Sequence, residues 1–407
     1  MTFLIFLLAS ISSSHAYQNQ CDQRPIANRE AVVLLTNAPQ GLTPTETYVR
    51  NLFLALTGAA KPVYDPHFQK AVSLVDAGQA LQAVQLIESD PNFLSVRVRA
   101  FAIPFIDSQH QAADTLNDLQ ALIIGLTRDG LDARLLLTGD IRYSGYKSLG
   151  LPPVSRSDND HYAAFENQGL DFNSDLERVN KQWDDQDYVA GALTTQAWAA
   201  AYYKAGTNRL GVKFSLDEFL CTPIDTWKIA GIPDGFIRRD VDRAKGGDPE
   251  SFQNTCKNCH SAMDAMGGAF AKLDYTDNGF VYQADGVVDK MNKNAFFYPA
   301  GFVSTDDSWV NLLADHPTAD FGWRDEFQGT GLPELAKTLA DSQAFSRCMV
   351  QKVFAAVCGT VVQSADGANF QPLADQFEKD SYNLKNLFAN VALEDACVSH
   401  APSTEEK

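Results

Sequence analysis

The chain has 407 residues, and 45 % of them are hydrophobic, which provides enough apolar side chains for one large core or two ordinary ones. It carries 33 Lys and Arg against 51 Asp and Glu, a formal net charge of -18 at pH 7. This composition excludes disorder as the dominant state. The negative charge argues against binding to nucleic acid or to an anionic membrane surface, because both would repel the folded chain.

The first residues form an apolar segment that is typical of a secretory signal. Residues 3–11 are strongly apolar, and Ser14 and Ala16 place small side chains on either side of His15, where a signal peptidase cuts. No Lys or Arg precedes the segment, and it is shorter than the about 20 residues that a membrane-spanning helix needs. The sequence therefore predicts a signal peptide at residues 1–16, no membrane span, and a protein that is periplasmic or otherwise exported.

Helical periodicity follows along most of the chain. Val49, Leu52, Phe53 and Leu56 have the i, i+3, i+4, i+7 spacing of an amphipathic helix, which we expect to begin near Thr45 and to end at Gly58. Comparable patterns predict helices over 66–76, 79–88, 91–105, 110–127, 194–205 and 213–220. The fold class is predicted to be mainly α, with a helical N-terminal module at 25–150, a polar, turn-rich connector at 151–190 and a further helical region at 191–395.

The clearest chemistry lies in that last region, in the sequence Cys256-Lys257-Asn258-Cys259-His260. On a helix, positions i, i+3 and i+4 lie on one side of a single turn, so both sulfurs and the imidazole face the same way. Cys-X-X-Cys-His is the attachment signal for c-type haem, in which two thioether bonds hold the porphyrin edge and the histidine binds the iron. The sequence predicts one haem c, with Cys256 and Cys259 as its attachment residues and His260 as the proximal iron ligand. Gly267 and Gly268 are expected to end the helix.

Three other interpretations of the cysteine pair stay open. A zinc site needs two more ligands in a comparable pair, and the chain has no second Cys-X-X-Cys and no His-X3-5-His. A thioredoxin-like dithiol is expected in a βαβ context, which the helical surroundings do not offer. A structural disulfide between the two cysteines is the remaining alternative.

The residues around the motif resemble a known family. After His260 come Met263-Asp264, Gly267 and the stretch Phe270-Ala271-Lys272-Leu273-Asp274, an order that is similar to the signature of planctomycete-type cytochrome c proteins. Segments within 122–140, 191–223, 332–354 and 382–387 also resemble that family. Two departures stand out, Ala265 in place of the family's proline and a longer insertion at about 285–328. The resemblance implies that 191–395 is a cytochrome c-like haem module with C-terminal helices and flanking helical domains.

The sixth iron ligand is predicted among a few side chains. Met263 and Met266 lie on the same helix as His260 and are expected to be packing residues. Met291, downstream of the motif, is the preferred distal ligand, because methionine is the usual partner of histidine in electron-transfer cytochromes. His316 and an open or water-ligated iron are alternatives, and Met349 is expected to be a core residue.

Five cysteines stay outside the motif, at 21, 221, 348, 358 and 397. In an oxidising compartment they can form two disulfides with one left over. Cys348 and Cys358 are ten residues apart on one predicted helix, about 15 Å from each other, and cannot bridge. The family resemblance implies a Cys221–Cys348 pair.

The remaining histidines, at 67, 110, 161 and 400, are predicted to be solvated. The aromatic residues at 296–298 and Trp309, Phe321 and Trp323 are expected either to pack over the haem or to belong to the core.

Two haem functions and one other function fit these residues. A c-type cytochrome would relay single electrons, and its acidic surface would favour a redox partner that is basic at its docking face. A haem enzyme with an open distal site would act on a small oxidant and would need an acid/base group such as His316. An exported helical binding or assembly module, in which haem is secondary, is the third reading.

Overall fold

The computed structural model of the protein describes residues 41–106, 115–224, 227, 231–238, 254, 256–293, 301–314, 320–324, 327–359, 370–395 and 397. This part of the chain is mainly helical, as predicted. Its helices are α1 (Pro44–Thr57), α2 (Pro66–Asp76), α3 (Ala80–Ile87), α4 (Arg99–Ala102), α5 (Asp118–Asp129), α6 (Leu135–Thr138), α7 (Asp160–Asn167), α8 (Gln196–Tyr202), α9 (Arg209–Leu220), α10 (Lys257–Met266), α11 (Gly331–Ala340), α12 (Gln343–Cys358), α13 (Gln371–Lys379) and α14 (Leu384–Ala392). Within these described residues, no helix has both the length and the apolar character required to cross a bilayer.

The ends of the first helices follow from local chemistry. The α1 helix begins one residue earlier than predicted, because Thr43 is its N-cap and forms a capping box with Glu46. It ends at Thr57, and Gly58 follows with φ 73°, a left-handed conformation in which glycine has no steric cost. The α2 helix has the predicted bounds. Asp65 caps it, and Pro66 fixes its first turn.

Three short two-stranded antiparallel sheets lie among the helices of the described residues. They pair β1 (Arg142–Gly145) with β2 (Leu176–Val179), β3 (Leu273–Thr276) with β4 (Gly279–Tyr282), and β5 (Ser308–Val310) with β6 (Gln328–Thr330). None of these strands was predicted from the sequence. Strands of three or four residues are too short for a period-2 pattern to be distinguished from loop.

One continuous core joins the first and last helices of the described chain. The Phe388 ring of α14 packs edge-to-face against Phe93, at 5.4 Å between centroids, and against Phe101, at 5.5 Å. Phe105 in turn contacts Phe219 of α9 at 5.3 Å. The N-terminal helical region therefore packs directly on the helices that precede and follow the Cys-X-X-Cys-His segment.

Two disulfides link the C-terminal half. Cys221, at the end of α9, bridges to Cys348 on α12 with a Cα–Cα distance of 5.1 Å, the pair that the family resemblance implies. Cys358, at the end of α12, bridges to Cys397 with a Cα–Cα distance of 4.7 Å. Cys21 lies outside the described residues. Both bridges hold α12 against its neighbours, and α9 packs on this helix and on α10.

A buried carboxyl in the N-terminal helices leads to a prediction on pH dependence. Burial raises the pKa of Glu88 to about 8, against a smaller lowering by the charge of Lys385. Glu88 is thus protonated in the folded chain over a range where the unfolded chain has already lost the proton. The free energy of unfolding is therefore expected to fall as the pH rises from 4.5 to about 8, by on the order of 1 kcal/mol per pH unit.

The measurement is urea unfolding at pH 5.5 and 8.5 on the wild type and on Glu88→Gln. The variant keeps a neutral, similar side chain and is expected to lose this part of the pH dependence. An exposed matched change, Glu394→Gln, should leave the pH dependence as in the wild type. Equal slopes in the wild type and Glu88→Gln would contradict the prediction.

Candidate functional site

The Cys-X-X-Cys-His motif lies at the start of α10. Cys256 is the N-cap of this helix, and Cys259 and His260 lie in its first turn. The helix places the three side chains at positions i, i+3 and i+4, as the spacing predicts, and each is partly exposed. The helix ends at Met266, and Gly267 opens a 3-10 turn (Gly267–Phe270), so the predicted end of the helix is confirmed. Cys256 and Cys259 are not joined by a disulfide.

A buried carboxylate lies one turn beyond His260. Asp264 has a fully buried side chain, and its Oδ1 is 3.5 Å from Nδ1 of His260. Arg209, the first residue of α9, donates to Asp264 through Nε and Nη2, both at 2.5 Å. The backbone N–H of Arg238 donates to Oδ2 of the same carboxylate at 3.1 Å. The carboxylate therefore connects His260 to a bidentate guanidinium partner and to a second chain segment.

These contacts keep Asp264 ionised. Burial by itself would raise the pKa of Asp264, but the hydrogen bonds from Arg209 and His260 and the charge of Arg238 outweigh burial and hold the pKa well below its usual range. A fixed anion at Nδ1 orients the imidazole. In metal-ligating histidines such a partner makes the other ring nitrogen, Nε2, the ligand and raises its basicity.

Close backbone contacts hold the end of the motif helix in place. A Cβ atom at Gly268 would lie 1.8 Å from the carbonyl oxygen of Ser308, so only glycine allows the β5 strand to approach at this point. Buried Asn208 donates through Nδ2 to the carbonyls of Phe270 and Leu273, at 2.8 and 2.7 Å. The segment from α10 to β3 is therefore fixed by the residues before α9 and by β5.

The predicted distal ligand, Met291, lies in a 3-10 turn (Asp289–Asn292) and is fully buried. It packs with Ala271 and Val288 in a small apolar cluster that is distinct from the main core. A hydrogen-bonded chain connects its neighbour Asn292 to the site. Asn292 exchanges two hydrogen bonds with the backbone of Ser304, at 2.9 and 2.7 Å, and Ser304 Oγ accepts from Nε of Arg238 at 3.0 Å.

The other candidate ligands are placed differently. Met263 and Met266 are buried in the main core, and so is Met349 on α12, as predicted for packing residues. His316 lies outside the described residues. Trp309 and Phe321 also belong to the main core, and the aromatic residues at 296–298 lie outside the described residues.

The prediction for His161 was wrong. This side chain is buried, its Nε2 accepts from the backbone N–H of Gly145 at 3.0 Å, and its Nδ1 is 2.6 Å from the carbonyl of Pro152. Polar neighbours in the sequence suggested solvent, but the fold covers the ring with β1 and the proline segment. His67 is exposed, as predicted, and His110 and His400 lie outside the described residues.

A zinc site would require further ligands close to Cys256 and Cys259. Across the part of the chain that the structure describes, no three His, Cys, Asp or Glu side chains are grouped so that they could hold a metal ion. A tetrahedral zinc site requires four such ligands. The described surroundings of Cys256 and Cys259 therefore contain no ligand set of that kind.

Two site residues were missed at the level of sequence. Arg209 is 55 residues from Asp264 along the chain, and nothing in its local pattern marks it as the partner of a carboxylate. Arg238 is 26 residues from Asp264, and its local pattern gives no such signal either. Asp264 itself was part of the family signature, and its position four residues after His260 was a signal that the two side chains share a helix face.

Comparison of the chain with family models, with curated proteins and with solved structures found no match. The resemblance to planctomycete-type cytochrome c proteins therefore stays a prediction from the motif and its flanking segments.

Proposed function

We propose that the protein is an exported c-type cytochrome that binds one covalent haem in a cytochrome c-like module and transfers single electrons. Cys256 and Cys259 would each add a thiol across a haem vinyl group, forming one C–S bond and leaving the thiol proton on the vinyl carbon. His260 would bind the iron from the same helix turn. The haem supplies a one-electron Fe(III)/Fe(II) couple when bound.

The observation that carries the proposal is the carboxylate behind His260. Two thiols and an imidazole on one helix turn are what haem attachment requires, and Asp264 lies at Nδ1 of that imidazole. Metal-ligating histidines are held in this way by a carboxylate or a carbonyl. The residues present therefore fit a haem whose iron is bound by Nε2 of His260.

The state of the cysteines supports the same proposal. Four of the six described cysteines form disulfides, and the two that do not are Cys256 and Cys259. Disulfides are typical of exported proteins. Two thiols that form no disulfide are consistent with covalent attachment to a group other than cysteine.

We propose Met291 as the sixth ligand, and its removal gives a testable prediction. Met291→Ala is expected to convert low-spin iron to high-spin iron and to abolish the weak sulfur-to-iron absorption band. Met349→Ala is the matched control, because both methionines are fully buried. Each variant is expected to lose about 2–5 kcal/mol of unfolding free energy, and only the first should change the spin state. An unchanged spectrum in Met291→Ala would exclude Met291 as the ligand.

The proposal as a whole is tested by a pyridine haemochrome spectrum and a haem stain after denaturing electrophoresis. The protein should be exported from a host that carries haem-attachment machinery. A c-type band that survives denaturation is expected. Matured, exported protein without haem would overturn the proposal and leave an exported helical binding module as the function to pursue.

A further inference from the structure

We infer that a cleft beside the β1–β2 sheet binds an acidic peptide segment that presents two adjacent carboxylates. The cleft has a volume of about 1000 Å³ and lies between this sheet and residues 151–156. That volume is at the upper end of ordinary ligand sites, which span about 300–1,000 Å³. The inference is independent of the haem proposal, because the cleft contains none of the motif residues.

Hydrogen bonds within the chain hold the walls of the cleft in position. His161 forms the floor and ties Gly145 of β1 to Pro152 of the opposite wall, with one ring nitrogen bonded to each. Burial and the charge of Arg142 lower the pKa of His161, against a smaller raising by the bond to Pro152, so this ring is neutral at pH 7. The backbone carbonyl of Arg156 accepts from the N–H of Phe280 in β4 at 2.9 Å. A binding site that is already formed loses little entropy when it is occupied.

The cleft is basic in a strongly acidic protein. Four cationic side chains line it against three carboxylates, and the cations are Arg142, Lys147, Arg156 and Arg178. The two guanidiniums of the wall are mostly covered, with side chains 20 % and 27 % exposed for Arg142 and Arg156, whereas the carboxylates of Asp184 and Asp185 are 84 % and 73 % exposed at the rim. The covered guanidiniums attract an anion into the cleft, whereas the exposed rim carboxylates are screened by solvent and oppose its entry only weakly.

The chain itself shows how a carboxylate is recognised there. Asp185 binds Arg156 through both oxygens, at 3.0 and 2.6 Å, and the Arg156 guanidinium lies 4.8 Å from the centre of the Trp183 ring. This stacking fixes the plane of the guanidinium, which is the geometry that bidentate carboxylate binding needs.

The second guanidinium is less fully neutralised. Arg142 Nη1 is 3.8 Å from the Asp184 carboxylate, which is beyond hydrogen-bond distance, and it donates instead to the carbonyl of Gln182 at 2.9 Å. Asp184 and Asp185 therefore occupy the position that we assign to the ligand. Asp185 accepts hydrogen bonds from the Arg156 guanidinium through both oxygens, whereas Asp184 interacts with Arg142 only through charge. An exposed pair of this kind is worth at most about 1 kcal/mol, so a ligand with two neighbouring carboxylates can displace it.

The probe that tests this is the peptide acetyl-Asp-Asp-Gln-Asp-amide, which copies residues 184–187. Binding is measured by isothermal titration calorimetry on the full exported protein, with the Asn-Asn-Gln-Asn peptide as the uncharged control. The wild type is expected to bind the acidic peptide and not the control. Arg156→Lys, which keeps the charge but cannot form the bidentate hydrogen bonds of a guanidinium, should weaken binding at least about tenfold.

A second variant is expected to strengthen peptide binding, so a loss of structure cannot explain its effect. Asp185→Asn removes the carboxylate that pairs with Arg156 and is expected to tighten peptide binding about tenfold. Asp187→Asn makes the same charge change at a residue that is 91 % exposed, pairs with Lys181 and does not line the cleft, so it should leave the affinity unchanged.

Three outcomes would overturn the inference. The first is no binding of the acidic peptide to either the wild type or Asp185→Asn. The second is equal tightening by Asp185→Asn and Asp187→Asn, which would mean a general charge effect. The third is binding of succinate as tight as that of the peptide, which would assign the cleft to small dicarboxylates.

Discussion

Under the proposed function, replacement of both Cys256 and Cys259 by serine is expected to remove all covalently bound haem from the protein. Serine hydroxyls do not add to haem vinyl groups, and His260 alone would leave the haem held by coordination and packing. The haem stain after denaturing electrophoresis should therefore be lost completely. Intact-mass spectrometry should show the matured chain without an added haem, against one haem per chain in the wild type.

The matched control is the pair Cys221→Ser with Cys348→Ser. It removes two cysteines from the same half of the chain, from a disulfide that closes a sequence separation of 127 residues. This control should keep its covalent haem but lose about 2–5 kcal/mol of unfolding free energy. Haem retained after denaturation in the Cys256 and Cys259 variant, or lost in both variants, would contradict the assignment of the attachment residues.

Local sequence signals predicted the parts of the fold that depend on neighbouring residues. Pro66 after Asp65 marks the start of α2, and the observed helix has the predicted bounds of 66–76. Gly58 marks the end of α1, where its left-handed conformation lets the chain turn. Gly267 also marks a helix end, but its φ of -64° is one that any residue adopts. The motif residues lie on one helix turn because their spacing of three and four residues leaves no other arrangement once a helix forms.

The features that were not predicted depend on contacts between distant segments. The partners of Asp264 come from α9 and from residue 238, and no local pattern selects Arg209 from the 33 Lys and Arg of the chain. His161 is surrounded by polar residues in the sequence, and only the packing of β1 and Pro152 over its ring makes it a buried, structural side chain. Its two backbone contacts are set by the tertiary fold.

The carboxylate of Asp264 contributes to stability and, in the proposed function, to the haem site through His260. Asp264→Asn is expected to lower the unfolding free energy by about 3–5 kcal/mol. The Asp264 side chain is fully buried. In Asp264→Asn the guanidinium of Arg209, which is only 11 % exposed, would face a neutral amide instead of a carboxylate. The measurement is urea unfolding of the full chain. Asp320→Asn is the control, because Asp320 also pairs with an arginine but is 83 % exposed. It should cost less than about 1 kcal/mol.

A double variant distinguishes the unfolding free energy lost by leaving one buried charge unpaired from the net contribution of the ion pair. Replacing a buried ion pair by apolar side chains of similar size is often neutral, whereas breaking it is strongly destabilising. Asp264→Leu with Arg209→Met is therefore expected to regain most of the stability that Asp264→Asn loses. In haem-loaded protein the double variant would still lack the carboxylate at Nδ1 of His260, so a haem midpoint potential that shifts upward despite restored stability would assign Asp264 to the orientation and basicity of His260. If stability and potential instead return together to wild-type values, Asp264 has a structural role alone.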